Sequence, residues 1–286
     1  MIGWLLAPLA LGFMQRGMLA GVIVGVLCAV IGCFVVLRSM AFIGDAMAHA
    51  VLPGVAISYL LKGDLFVGAL GAALAVALGI GALSRRGTVR EDSAIGILFA
   101  AALALGVLLI SSIRTYAVDL SHILFGNVLG VSVRDLVLTG STAAVVLAAV
   151  FLLYKELVVV SFDPVLAATL RLPAERLRMT LLVLLALTIV VSLQTVGIGL
   201  VSALLVTPAA TAHLLTRRLP RMMAIAASIG VASSVIGLYA SYYLDVASGA
   251  AIVLTATGFF LLAFLFAPRR GAAWRLAGRR RRGGNR

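Results

Sequence analysis

The sequence predicts an all-α, polytopic membrane protein of about nine transmembrane helices, with eight as the lower count, and one short extra helix on the cytoplasmic side. Three observations carry that prediction. Of 286 residues, 63% are hydrophobic and 12% charged, and the mean hydropathy is +1.19; soluble domains are nearer half apolar and a quarter charged. Uninterrupted apolar runs recur at the length of about 20 residues that crosses a hydrocarbon core. Basic residues fall in alternate connections between those runs, the pattern left when Arg and Lys are retained on the cytoplasmic side.

In chain order, 17–37, 65–83, 93–113, 136–154, 222–244 and 246–268 are charge-free or nearly so and read as spans. The stretch 179–215 carries no Asp, Glu, Lys or Arg over 37 residues, enough for two spans with a break in QTVGIG at 194–199, where Gly197 and Gly199 suit irregular backbone. Residues 46–61 are shorter and contain His49, Pro53 and Gly54, so they predict a discontinuous helix. Residues 2–13 are too short to cross but apolar enough to dip in, and 117–131 suit a re-entrant hairpin. A cleaved leader over 1–20 is disfavoured: there is no basic start, and the segment runs on into further apolar sequence. Cys28 and Cys33, five apart in an apolar run, are neither a disulfide framework nor a metal knuckle, and read as packed or lipid-facing thiols.

Arg85, Arg86 and Arg90, then Arg171, Arg176 and Arg178, then Arg217, Arg218 and Arg221, mark the connections expected in the cytoplasm. The alternate connections hold Lys62 with Asp64, and Arg114 and Arg134 with Asp119 and Asp135, each balanced to zero. The permease domain is expected to span 1–268. The tail 269–286 carries eight arginines and most of the formal +13 charge; it is expected to be a disordered cytoplasmic segment facing anionic lipid, not a nucleic-acid contact.

Ionisable residues at membrane depth are costly and therefore point to function. Asp45 and His49 stand four apart in GDAMAH, on one helical face. Two readings of the pair are open: ligands for an ion, or a hydrogen-bonded pair joining helices. Asp245, in SYYLDVASGA, lies where two spans meet, and is a third ligand, an outer-loop residue or a helix cap. Oxygen and nitrogen donors without thiolate suit manganese, iron or zinc and would not select copper(I). His213 is one turn from a basic connection and His122 near the outer surface, and neither is assigned to the site. Asp163 followed by Pro164, in SFDPVLAATLRLPAERLR (161–178), is a helix start. The short helix it opens, between two spans, reads as a docking surface.

Five strings in this order, LRSMAFIGDAMAHAVLPGVA, EDSAIGILFAAALALGVLLIS, DLSHILFGNVLGVS, SFDPVLAATL and VSLQTVGIGLVSALLVTPAATAHLL, resemble the permease subunits of ATP-binding-cassette importers for manganese, zinc and iron, over about residues 17–268. The resemblance implies a homodimer of this subunit, two cytoplasmic ATPase subunits and an extracytoplasmic metal-binding protein, with no permanently bound cofactor. It implies a metal site at Asp45, His49 and Asp245. It implies a coupling helix for the ATPases at Phe162, Asp163, Pro164, Ala167 and Arg171. Gly44, Pro53, Gly54, Gly197 and Gly199 are the expected points of helix breakage or gating. The family's coupling loop usually carries a glycine after its alanine-rich turn, where this chain has Arg171.

The chain contains no G-x-x-x-x-G-K-[ST] phosphate loop, and its two lysines, Lys62 and Lys155, stand outside any such pattern. It is therefore expected to be a transport subunit without enzymatic activity of its own, with ATP bound and hydrolysed on a partner. The alternative is a proton- or sodium-coupled carrier using Asp45 and Asp245. An intramembrane metalloprotease would need a set such as H-E-x-x-H, which is absent.

Overall fold

The computed structural model describes residues 8–85, 89–112, 128–162 and 164–267. His122, Arg86, Arg114, Asp119, Asp163 and the arginine-rich tail lie outside the described residues, as does most of the expected hairpin at 117–131.

Twelve helices are described. They are α1 (Gly12–Leu37), α2 (Ile43–Ala50), α3 (Leu52–Leu60), α4 (Leu65–Ser84), α5 (Glu91–Ser111), α6 (Val133–Leu152), α7 (Tyr154–Phe162), α8 (Pro164–Thr169), α9 (Ala174–Val196), α10 (Ile198–Leu215), α11 (Leu219–Leu244) and α12 (Ser248–Phe266). With α2 and α3 counted as one, nine are long and apolar enough to cross a membrane. At about 1.5 Å per residue the longest, of 26 residues, extends about 39 Å and the shortest, of 18, about 27 Å.

Where helix starts differ from the apolar runs, side chains at the termini explain it. Helix α6 begins three residues early because Ser132 and Asp135 form a reciprocal cap: the Asp135 N–H donates to Ser132 Oγ, and the Ser132 N–H to Asp135 Oδ2. Glu91 and Asp92 extend α5 backward, in the first turn where the helix dipole favours negative charge. Asp64 caps α4 by accepting the Phe66 N–H at 2.8 Å.

Helix α1 is the axis of the bundle, packed against α11, α10, α6 and α9. Helices α4, α5, α6 and α12 are mostly exposed along their length, as lipid-facing helices must be. Small residues set the close crossings, as expected where hydrocarbon supplies no hydrophobic drive between helices. On α1, Gly25 meets Gly230 of α11, and the Ser234 hydroxyl donates to the Gly21 carbonyl at 3.0 Å. Gly32 lies against the backbone carbonyl of Leu205 on α10, and Gly54 of α3 against that of Gly68 on α4. Cys28 and Cys33 are both buried, with Cys28 Sγ 3.6 Å from the Ser192 hydroxyl on α9, so these thiols are packing groups.

The connections bearing Arg38, Arg85, Arg171 and Arg217 occupy one end of the bundle. Contacts tie that end together: Arg38, beyond α1, and Arg178, at the start of α9, both reach Glu91 at the start of α5. At the opposite end Gln194 Nε2 donates to Asp135 Oδ1 at 3.4 Å, joining the end of α9 to the start of α6.

Candidate ion site and coupling helix

The segment expected to be a discontinuous helix is two helices, α2 and α3, meeting at Val51. Pro53, in the first turn of α3, has no N–H to give the preceding turn and so ends the α2 ladder. This junction positions Asp45 and His49 on one face of α2. His49 Nε2 and Asp45 Oδ1 are 3.6 Å apart on the same helix, longer than a hydrogen bond. Two donors held by one divalent ion at bonds of about 2.1 Å stand roughly 3.0–3.5 Å apart at right-angled to tetrahedral geometry. A side-chain adjustment of a few tenths of an ångström therefore suits both to a single ion.

The pair is open as well as close. The Asp45 side chain is 54% exposed and that of His49 25%. The His49 ring packs against Phe99, centroids 5.9 Å apart. Phe99 stands eight residues into α5, about 12 Å from its arginine-bearing end. An open carboxylate at that depth must face a cavity or another protein surface, since exposure to lipid is prohibitive. From α10, Ser202 Oγ comes to 3.5 Å from Asp45 Oδ1. Ser202 and Phe99 are the neighbours that sequence reasoning missed. Each is ordinary within an apolar run, and only the packing of α10 and α5 on α2 marks them.

Asp245 ends α11 in the left-handed region at φ 52°, ψ 46°, as an exposed C-cap whose N–H reaches the Ser241 carbonyl. Among the described residues no three His, Cys, Asp or Glu side chains sit close enough to hold an ion, so within one chain Asp245 stands apart from the pair. His213 occupies the last turn of α10, toward the basic connection.

The break expected in QTVGIG falls at Gly197, between α9 and α10, with φ 84° and ψ 164°. That backbone region is essentially closed to residues with a Cβ. Gly199 lies within the first turn of α10, where an added Cβ would meet nothing. Gly44, inside α2, abuts the Leu205 side chain, and Gly54 packs α3 onto α4; both permit close approach within regular helix.

The short helix between spans is α8, beginning at Pro164. Ala167 is buried with Val160 of α7 and Leu177 of α9. Phe162 at the end of α7, Leu166 within α8 and Leu170 just beyond it are each about half exposed, at 56%, 45% and 55%. Large apolar side chains left open in this way make a candidate interaction surface. Arg171 follows in the left-handed region at φ 53°, and the Leu172 N–H closes back on the Ala167 carbonyl at 3.0 Å. That is a Schellman turn, in which this position is usually glycine. Arg171→Gly is expected to raise the thermal midpoint of the purified chain, because a side chain in that conformation costs about 1–2 kcal/mol, partly offset by the looser unfolded chain. A lower midpoint would mean that the arginine side chain contributes more than the strain it imposes.

At the arginine-bearing end Arg38, Glu91, Glu175 and Arg178 form a cluster between α1, α5 and α9. Burial lowers the Arg38 pKa from its ordinary value, and Glu91 opposes that shift. Each of these residues is unremarkable in the sequence, and the contact between Arg38 and Glu91 spans 53 positions.

Among the described residues, nine helices long and apolar enough to cross a membrane, with an open ionisable pair on one of them, define a multi-pass membrane protein. The chain belongs to the ABC 3 transport family, which matches residues 10–267. It is 50% identical over 267 residues to the manganese transport system membrane protein MntC of Halalkalibacterium halodurans, covering 93% of this chain and 91% of that one. It is 39% identical over 266 residues to a probable iron transport system membrane protein of Haemophilus influenzae, with 93% and 98% covered. The fold is similar to that in the structure of PsaBC from Streptococcus pneumoniae in complex with Fab, with TM-score 0.83, 39% identity, and 94% and 98% of the two chains covered. Membership of this family sets aside the proton- or sodium-coupled carrier.

Proposed function

We propose that this chain is the membrane-spanning half of an ATP-driven importer that carries a divalent transition-metal ion into the cytoplasm. Manganese is the favoured cargo, iron the second reading and zinc the third. The observation that carries the proposal is the Asp45–His49 pair, two donors of the right type and spacing left open among apolar helices. Manganese and iron are named for the relatives, and a carboxylate with an imidazole suits either ion. Selection among them then falls to the extracytoplasmic metal-binding protein that delivers the ion.

Two ligands make half of a site. A second copy of the chain, related by a twofold axis with α2 facing α2, would supply another Asp45 and His49 and bring the donor count to four. The homodimer also gives the exposed carboxylate something other than lipid to face. Asp245, at the opposite end of the bundle from the arginines, then belongs to the entry side of the path.

Phe162 at the end of α7, Leu166 of α8 and Leu170 just beyond it give this segment an apolar surface for an ATPase subunit, one per permease chain. The helix begins at Pro164, Ala167 seats it on α7 and α9, and Arg171 ends it. ATP is bound and hydrolysed on those partners. The arginine-bearing end is cytoplasmic, and the permease domain of 1–268 is followed by a basic cytoplasmic tail, 269–286, that faces anionic lipid. Such a protein resides in the cell membrane of a prokaryote.

The test is reconstitution. The chain is purified with the ATPase and the metal-binding protein and placed in liposomes, and uptake of radioactive manganese is followed with and without ATP. ATP-dependent uptake that requires all three proteins is expected. Uptake by the permease alone, driven by a proton gradient, would refute the proposal.

A further inference from the structure

Four charged side chains at the arginine-bearing end remain unexplained by the ion site or the docking face. Glu91, the first residue of α5, bridges two guanidinium groups: Arg38 Nη2 lies 3.4 Å from its Oε2 and Arg178 Nη1 3.5 Å from its Oε1. Arg178 Nη2 also contacts Glu175 Oε1 at 2.9 Å and donates to the Gly81 carbonyl of α4 at 2.7 Å. The side chains of Arg38 and Arg178 are each only 12% exposed. The ends of α1, α4, α5 and α9 are thus joined through the Glu91 carboxylate and two guanidinium groups.

The cluster is poorly built for stability alone. Buried charges repay their desolvation only with close geometry and every donor satisfied. Here the two contacts to Glu91 are long, and Arg38 Nη1 and Arg178 Nε are buried without a hydrogen-bond partner among the described residues. A network in that condition can exchange partners at little loss.

Its position gives such an exchange a consequence. On one side, Glu175 and Arg178 flank Leu177, which packs on Ala167 of α8. Displacement of α8 therefore reaches this first turn of α9 directly. On the other side the cluster holds two elements that lead to the ion site. Arg38 caps α1 seven residues before Asp45, and the short turn between them is pinned by the Met40 N–H on the Val35 carbonyl and by Ser39 at φ 58°. Glu91 heads the helix whose Phe99 packs on His49.

We propose that Arg38, Glu91, Glu175 and Arg178 are positioning residues for transport, passing movement of the docking helix α8 to the Asp45–His49 pair. The proposal rests on the reading of α8 as the ATPase-docking helix. Rigid elements with two discrete arrangements carry such coupling between sites; here the two arrangements are the present pairing of Glu91 and one in which α9 has taken Arg178 away from it.

The experiment uses the complete importer in liposomes and measures ATP hydrolysis and metal uptake together, in wild type, Glu91→Gln and Glu175→Gln. In Glu91→Gln the complex assembles and hydrolyses ATP within about twofold of wild type, while ions imported per ATP fall about tenfold. Glu175→Gln, at the more open end of the cluster, shows a smaller loss of the same kind. Glu91→Asp, which restores the carboxylate, recovers part of the ratio that Glu91→Gln loses. The proposal is overturned if ions per ATP are unchanged in both single variants. It is equally overturned if assembly, hydrolysis and uptake decline in parallel, since the cluster is then merely structural. If wild-type permease fails to retain the ATPase, the docking reading itself is wrong; a coupled wild type with a coupled Glu91→Gln removes only the present inference.

Discussion

Asp45→Ala is expected to reduce ATP-driven metal uptake by at least about 100-fold, while the chain still enters the membrane and still retains its ATPase. Loss of a residue that merely orients a ligand typically costs 10–100-fold, and removal of a ligand costs more. In a homodimer one substitution deletes two donors from the shared site. Stability should change little, because the Asp45 side chain is 54% exposed and its one cross-helix partner, the Ser202 hydroxyl at 3.5 Å, makes a long hydrogen bond. His49→Ala is expected to match Asp45→Ala in uptake, with a small added loss from its packing on Phe99. Ser202→Ala, which leaves both ligands in place, should cost no more than about tenfold. Asp64→Ala, an aspartate substitution at the N-cap of α4, controls for the loss of a carboxylate as such. Unchanged uptake in both Asp45→Ala and His49→Ala would reduce the pair to incidental polar residues.

The spans were legible in the sequence because the bilayer imposes a crude requirement: about 20 apolar residues each, with charges at the ends. The break at Gly197 and the junction at Val51 were legible for a similar reason, since Gly and Pro act locally. Asp45 and His49 stand out in the sequence because ionisable groups are rare within apolar runs and a spacing of four residues brings them to one helical face. What could not be read was whatever depends on how helices pack. Ser202 and Phe99 meet the pair from α10 and α5, and no periodicity within those runs distinguishes the one residue that does so. Arg38, Glu91 and Arg178 resemble the ordinary flanking charges of three separate spans until the ends of α1, α5 and α9 are brought together. Asp245 is a different case: an isolated carboxylate between two spans satisfies the sequence criteria for a ligand and for a cap alike, and only the structure shows its left-handed backbone at the end of α11.

Gly32→Ala is expected to destabilise the protein by about 3 kcal/mol or more, at the upper end of the range for overpacked cores, although it introduces a single methyl group. A Cβ at this position would collide with the backbone carbonyl of Leu205, and a backbone atom of a packed helix cannot rotate aside as a side chain can. The same replacement at Gly258 of α12 meets nothing. Alanine is favoured over glycine within a helix by about 1 kcal/mol, so Gly258→Ala should be neutral or stabilising. The contrast isolates packing from helix propensity, and thermal unfolding of the two purified variants in the same detergent measures it. The effect should also reach transport. Leu205 is in contact with Gly44 as well as Gly32, so α10 is seated at once on α1 and on the helix that carries Asp45 and His49. Forcing α10 away from α1 moves Ser202, three residues from Leu205, relative to Asp45. Gly32→Ala should therefore lose metal uptake at temperatures well below its unfolding midpoint. Uptake that persists undiminished up to the midpoint would show that the ion site does not depend on the seating of α10.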